Sequence, residues 1–147
     1  MRIWLTNALC CLLLVSLPAA AVLGENADTV LADQARMQAT LQITSTATFA
    51  VQRMLLPSGT TVREYVSPAG LVFALSWEGP AMPELQPLLG RYFEAYVQAL
   101  KMQSTGGARA VSQAGLVVQT GGHMRAYVGR VIVAAMLPRG VSEAEIQ

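Results

Sequence analysis

The chain has 147 residues, 53% of them hydrophobic, with ten basic and nine acidic side chains, one histidine and two cysteines. A formal net charge of +1 offers no basic excess for nucleic acid or an anionic membrane surface. The charged fraction, 13%, is about half the usual share, which fits either self-association or a compact domain with an Ala-, Ser- and Thr-rich surface.

Met1 and Arg2 open the chain with positive charge, and Ile3 to Leu17 is apolar apart from Thr6, Asn7 and Ser16. Pro18 breaks the run and Ala19-Ala20-Ala21 follows. Charged start, apolar run and small residues form a secretory signal. Cleavage is expected after Ala21, with Gly24 as the second site. An anchor helix needs about 20 apolar residues, and this run is shorter and interrupted, so no membrane span is expected after cleavage. Cys10 and Cys11 lie inside the apolar run and leave with it. Cys10 comes too early, after Leu9, to be a lipidation site. Removal of 21 residues from 147 leaves 126, a neutral single domain without cysteine. The expected location is periplasmic or secreted, and the core must hold without disulfides.

Three regions follow: 1–21 as signal, 22–48 as an N-terminal helix and connector, and 49–147 as one α+β domain. Glu25 to Leu41 reads as a helix capped by Asp28, with Val30, Met37 and Leu41 on one side. Gln42 to Thr48 is a connector or ragged strand. Phe49 to Leu56 and Thr60 to Val66 read as strands. Ser67-Pro68-Ala69-Gly70 fits a type I turn followed by a left-handed residue, the three-residue hairpin loop with a bulge. Leu71 to Trp77 returns. That turn sets Tyr65 opposite Phe73, Arg63 opposite Leu75 and Thr61 opposite Trp77. Tyr65, Leu71, Phe73, Leu75 and Trp77 then form the core face.

Gly79-Pro80 ends that strand. Leu85, Leu88, Leu89, Tyr92, Phe93, Tyr96, Val97 and Leu100 recur at three- and four-residue spacing, one apolar stripe of a long helix. Pro87 belongs in the first turn, which places the cap near Glu84. Gly90 lies within the stripe and permits close contact with the sheet. Ser104 to Gly107 is the exit loop. Gly115 to Thr120 and His123 to Val128 flank Gly121-Gly122, a hairpin signal. Gly129-Arg130 turns into Val131 to Ala135. Ser142 with Glu145 suits a capping box on a final short helix. The expected fold class is α+β: a mostly antiparallel sheet of about five or six strands, one long amphipathic helix across a face, and an N-terminal helix.

Few residues carry chemistry. One histidine and no mature cysteine exclude a His/Cys zinc site within one chain. Asp28 and Asp33 lie outside any calcium-loop pattern, and no phosphate-binding glycine loop or GxSxG elbow is present. No cofactor or metal is expected. On a strand, His123, Arg125 and Tyr127 would share one face, a small anion- or carboxylate-binding surface with Arg125 as fork-like donor. A polar outer face beside a turn explains the same alternation. Arg63 is a second candidate, or it snorkels over Leu75. Glu64 falls on the other face, as a binding residue or a solvated strand residue.

Several segments together resemble a known family: Thr60 to Gly70; Trp77-Glu78-Gly79-Pro80 with Met82-Pro83-Glu84-Leu85; Leu88-Leu89-Gly90; Tyr92-Phe93; Gly121 to Ala126; Leu137-Pro138 with Gly140-Val141. Leu23-Gly24 and Ala35-Arg36-Met37 add to it. The chain resembles domain-of-unknown-function family 2844, small exported proteobacterial proteins. Glu84 stands where that resemblance leads one to expect aspartate, and Glu78 where it leads to glutamine. The resemblance implies a Gram-negative envelope setting and no particular activity.

The leading expectation is a non-enzymatic accessory protein that binds an envelope protein or cell-surface component through Arg63, Glu64, His123, Arg125 and Tyr127. One alternative is a small hydrolase or isomerase using His123 as base with Glu64 or Arg125. Another is a self-associating envelope protein that uses the strand Phe49 to Leu56 as an open edge.

Overall fold

The computed structural model describes residues 22–106 and 110–147; the expected signal segment, 1–21, lies outside the described residues. Asn26, rather than Asp28, caps the first helical turn: its side chain accepts the Asp28 N–H at 3.0 Å. A 3-10 turn, Ala27–Thr29, leads into α1, Val30–Met37. The helix is shorter than the expected Glu25 to Leu41. Gln38 takes a left-handed backbone (φ 51) and ends it, and the Thr- and Ile-containing segment Thr40–Ser45 becomes β1 instead.

β2 (Ala50–Leu55), β3 (Thr61–Val66) and β4 (Val72–Gly79) follow, close to their expected bounds. Two helical pieces come next, the short α2 (Leu85–Leu89) and the long α3 (Phe93–Gly106). β5 (Ala110–Gln113), β6 (Leu116–His123) and β7 (Ala126–Val133) complete the sheet. The described strands form one seven-stranded sheet in the order β1-β2-β3-β4-β7-β6-β5. Every pairing is antiparallel. The α+β class stands, with seven strands rather than five or six.

The Ser67–Gly70 turn forms as expected. Gly70 N–H donates to Ser67 O at 2.8 Å, Ser67 N–H to Leu71 O at 2.9 Å, and Gly70 takes φ 79. The register beyond it differs. Val66 pairs with Val72 but Tyr65 pairs with Ala74, so Phe73 is an extra residue in a β-bulge. From there the pairing shifts by one: Glu64 opposes Leu75, Arg63 opposes Ser76 and Val62 opposes Trp77. The single expected core face therefore divides between both faces of the sheet. Val62, Glu64, Leu75 and Trp77 go to the face covered by helices; Arg63, Tyr65, Phe73 and Ala74 go to the far face.

The helix face carries the main core. Leu85, Leu88, Leu89, Tyr96 and Ala99 pack there with Met54, Val62, Val118 and Val131, and Leu23, Ala27 and Val30 join from the N-terminal segment. The long helix is broken at Gly90, which takes φ 48 between α2 and α3. Gly90 approaches the N-terminal segment rather than the sheet. A Cβ there would lie 2.1 Å from Val22 Cγ1, so only glycine fits. Glu84 holds the N-cap position without a side-chain bond, and Pro87 sits in the first turn.

The far face has a smaller core of Tyr65, Phe73, Ala74, Ile132 and Ile146. The C-terminal segment supplies Ile146, which has no exposed surface. The Ser142 N–H donates to Glu145 Oε1 at 2.7 Å, the expected capping contact. Gly129-Arg130 is not a turn but lies within β7, and Gly121-Gly122 lies within β6. The β6–β7 turn falls at Met124-Arg125, where Arg125 adopts φ 69. β5, not foreseen, joins β6 through Ala114-Gly115, both at positive φ, the two-residue hairpin geometry. β2 is interior, so the expected open edge at Phe49 to Leu56 is paired on both sides; β1 and β5 are the edges.

Candidate functional site

Strand pairing places one continuous row of polar side chains across the far face. Gln42 opposes Arg53, Arg53 opposes Arg63, Arg63 opposes Ser76, Ser76 opposes Arg130, and Arg130 opposes Gln119. The next row carries Thr61, Glu78, Val128 and Gly121. A cavity of about 580 Å³ opens over these rows beside the C-terminal segment. Arg63, Glu78, Gln119 and Arg130 contribute polar walls, Val128 and Gly121 the floor, and Ile146 with Gln147 one rim. This size is that of a small-molecule site.

The walls are held in place by hydrogen bonds. Arg130 Nε donates to Gln119 Oε1 at 2.7 Å, and its Nη1 donates to Glu143 O at 2.9 Å and also to Ile146 O. Ser76 Oγ donates to Gln147 O at 2.8 Å. Tyr65 Oη accepts the Gln147 N–H at 3.0 Å and donates to Gln147 O. Arg63 is freer: its Nη2 lies 3.7 Å from Glu78 Oε2, and the Glu78 side chain is 68% exposed. A pair this open is screened and weak. Gly121 leaves the floor bare. A Cβ there would meet only Val128 Cγ1, at an ordinary 3.6 Å.

The five residues singled out from sequence do not converge. Arg63 lines the cavity. Glu64 lies on the opposite face with no exposed surface, and neither carboxyl oxygen has a hydrogen-bond partner. It is not a solvated strand residue. Burial above all, with nearby Asp33 adding and Arg36 opposing, pushes its pKa up to about 8. Arg36 in turn bonds Asp33 Oδ1 through Nη2 at 2.5 Å and Nε at 3.2 Å. His123 is exposed at the end of β6, and Arg125 is exposed in the turn. Tyr127 opposes Gly122 and Gly79, whereas His123 opposes Ala126. Alternation therefore sends His123 and Tyr127 to opposite faces, because the turn sits three residues later than the glycine pair suggested. An exposed His123 and a Glu64 buried under the helices cannot act on one substrate.

Ser76, Glu78, Gln119, Gly121, Arg130 and Gln147 build the cavity and were not candidates from sequence. A signal existed for Arg130: it is the one charge within Val128 to Val133, a run rich in valine and isoleucine. Among the described residues, no three His, Cys, Asp or Glu side chains group to hold a metal ion. No helix among them is long and apolar enough to cross a membrane.

A family model described as protein of unknown function (DUF2844) matches residues 19–146. The match spans most of the chain, and the chain belongs to that family. No curated protein and no solved structure matches it.

Proposed function

We propose that this family member is an exported, non-enzymatic binding module of the cell envelope, periplasmic or secreted, whose ligand seats in the far-face cavity. The observation that carries the reading is a cavity of about 580 Å³ with fixed polar walls and a floor bare at Gly121. Arg130, pinned by Gln119, Glu143 and Ile146, costs little ordering entropy when a ligand arrives, the basis of preorganised recognition. The groups offered are a guanidinium, a carboxylate and an amide over an apolar floor, which is recognition chemistry. Export is supported by the charged start, apolar run and alanine triplet at residues 1–21.

The test is a protein-observed NMR fragment screen, following backbone amide shifts, on the mature protein and on Gly121→Leu. Hits should perturb the Gln119, Gly121 and Val128 amides and vanish in the variant, whose spectrum elsewhere should stay native. Hits that map elsewhere, or that survive in Gly121→Leu, would overturn the seat.

Self-association remains a second reading, moved from β2 to β1. β1 is an outer strand with no charged residue or proline, and Ile43 on it is 56% exposed. Native sheets guard such edges with charge or proline. Light scattering should show a concentration-dependent dimer that Ile43→Lys abolishes; a monomer throughout would dismiss it.

A further inference from the structure

We infer that the cavity takes a small anionic amphiphile, with its apolar body over Val128 and Gly121 and its anionic head at the Arg63 wall, reaching out to Arg53, which lies outside the lining on the neighbouring strand. This rests on the far-face seat proposed above and names its ligand class.

The far-face row holds three arginines, Arg53, Arg63 and Arg130, and no carboxylate. Arg53 and Arg63 are directly opposite on paired strands. Adjacent strands lie about 4.8 Å apart, and like charges facing each other at that spacing repel. The carboxylate within reach of this pair is Glu78, 3.7 Å from Arg63 and largely in solvent. No hydrogen bond or ion pair engages the Arg53 side chain among the described residues. Arg130 bonds only neutral oxygens, those of Gln119, Glu143 and Ile146. The unbalanced positive charge lies at the facing pair Arg53 and Arg63, which has the exposed Glu78 beside it. An anion between Arg53 and Arg63 relieves the repulsion and accepts forked hydrogen bonds from a guanidinium.

The rest of the cavity asks for an apolar body. Val128 is 47% exposed on the floor, Gly121 beside it has no side chain, and Ile146 closes the rim. A hydrophilic anion would leave Val128 in water. A polyanion would find no further cation beyond Arg130, about 10 Å from Arg63 across two strand spacings.

Titration calorimetry with four eight-carbon probes tests this: octanoate, octyl phosphate, octylamine and octanol, each below its micelle concentration. Saturable binding of octanoate, octyl phosphate or both is expected, with octylamine inert and octanol much weaker. If one anion binds and the other does not, carboxylate and phosphate heads are told apart. Arg63→Gln should weaken the anion about tenfold, the loss of one charge-assisted pair. Arg53→Gln, at an exposed position and safe for folding, should weaken it severalfold, and Arg139→Gln should leave it unchanged. No saturable anion binding, equal binding of octanol, or indifference to both Arg53→Gln and Arg63→Gln overturns the inference. Neutral ligands that bind at the same amides and are lost in Gly121→Leu would sink the inference and leave the seat standing. Anion binding that survives Gly121→Leu would remove the seat itself.

Discussion

Glu64 on β3 and Asp33 on α1 are both without exposed surface, and the Asp33 charge adds to burial in raising the Glu64 pKa. Two carboxyls thus meet where α1 rests on the sheet, with Arg36 as the counter-charge to Asp33.

This relationship gives a pH dependence with a defined sign. Glu64 titrates from an ordinary value of 4.5 up to about 8 in the fold. Below pH 4.5 both folded and unfolded chains hold the proton. Between the two values the unfolded chain releases it while the folded chain keeps it, so stability falls as pH rises. The loss approaches ~1.4 kcal/mol per pH unit at its steepest. Glu64→Gln mimics the neutral acid. The difference in unfolding free energy between wild type and Glu64→Gln, by urea titration at several pH values, should be near zero at pH 4. It should grow in favour of the variant by several kcal/mol at pH 8. A flat difference across that range would place Glu64 in contact with water.

Two glycines should respond in opposite ways. Gly90 sits at φ 48, ψ −122, with Val22 Cγ1 2.1 Å from a Cβ position. Gly90→Ala should cost about 2 kcal/mol or more from backbone strain and overpacking. Gly121 has neither restriction, and Gly121→Leu should change stability by less than about 1 kcal/mol. Thermal and urea unfolding of both variants measure the contrast.

The strands β2 to β4 and the long helix were legible because each has a strong local signature. Alternating Val, Thr and Tyr, Gly79-Pro80 as a stop and an unbroken three-four apolar stripe need no tertiary information. The bulge at Phe73 was not legible. β4 is buried on both faces, so its apolar run offers no polar contrast to mark where alternation skips a residue. That one residue exchanged the faces of Arg63 and Glu64 relative to Leu75 and Trp77, and with them the candidate site. The cavity was illegible for another reason. Tyr65, Ser76, Arg130 and Gln147 meet only after β7 has inserted beside β4 and the C-terminal segment has folded back. Of the site, only Arg63 showed in the sequence; Arg53 gains meaning solely from the pairing that sets it opposite Arg63.

The C-terminal segment should behave as a latch, fastened by Ile146 in the far-face core, by Arg130 on its carbonyl oxygens, and by Ser76 and Tyr65 on Gln147. Ile146→Ala should cost about 2–4 kcal/mol as a buried large-to-small change. Arg130→Met should cost about 1–3 kcal/mol by leaving acceptors without their donor. Both fasten one segment, so the double variant should lose less than the sum. Hydrogen exchange should accelerate at residues 142–147 in all three and stay unchanged in α3.

The proposed export leads to a prediction about the N-terminus, argued from burial. Leu23 has no exposed surface, packs in the main core, and its N–H donates to Leu88 O at 3.0 Å. The Gly24 N–H donates to Val72 O at 2.7 Å. A cut after Gly24 would discard both bonds and a fully buried leucine, worth about 2–3 kcal/mol in burial alone. A cut after Ala21 keeps them. If the chain is exported as proposed, terminal sequencing of the processed form should therefore read Val22-Leu23-Gly24. A form shortened to begin at Glu25 should unfold at lower urea by that amount. A natural terminus at Glu25 with full stability would show that Leu23 contributes nothing to the mature core.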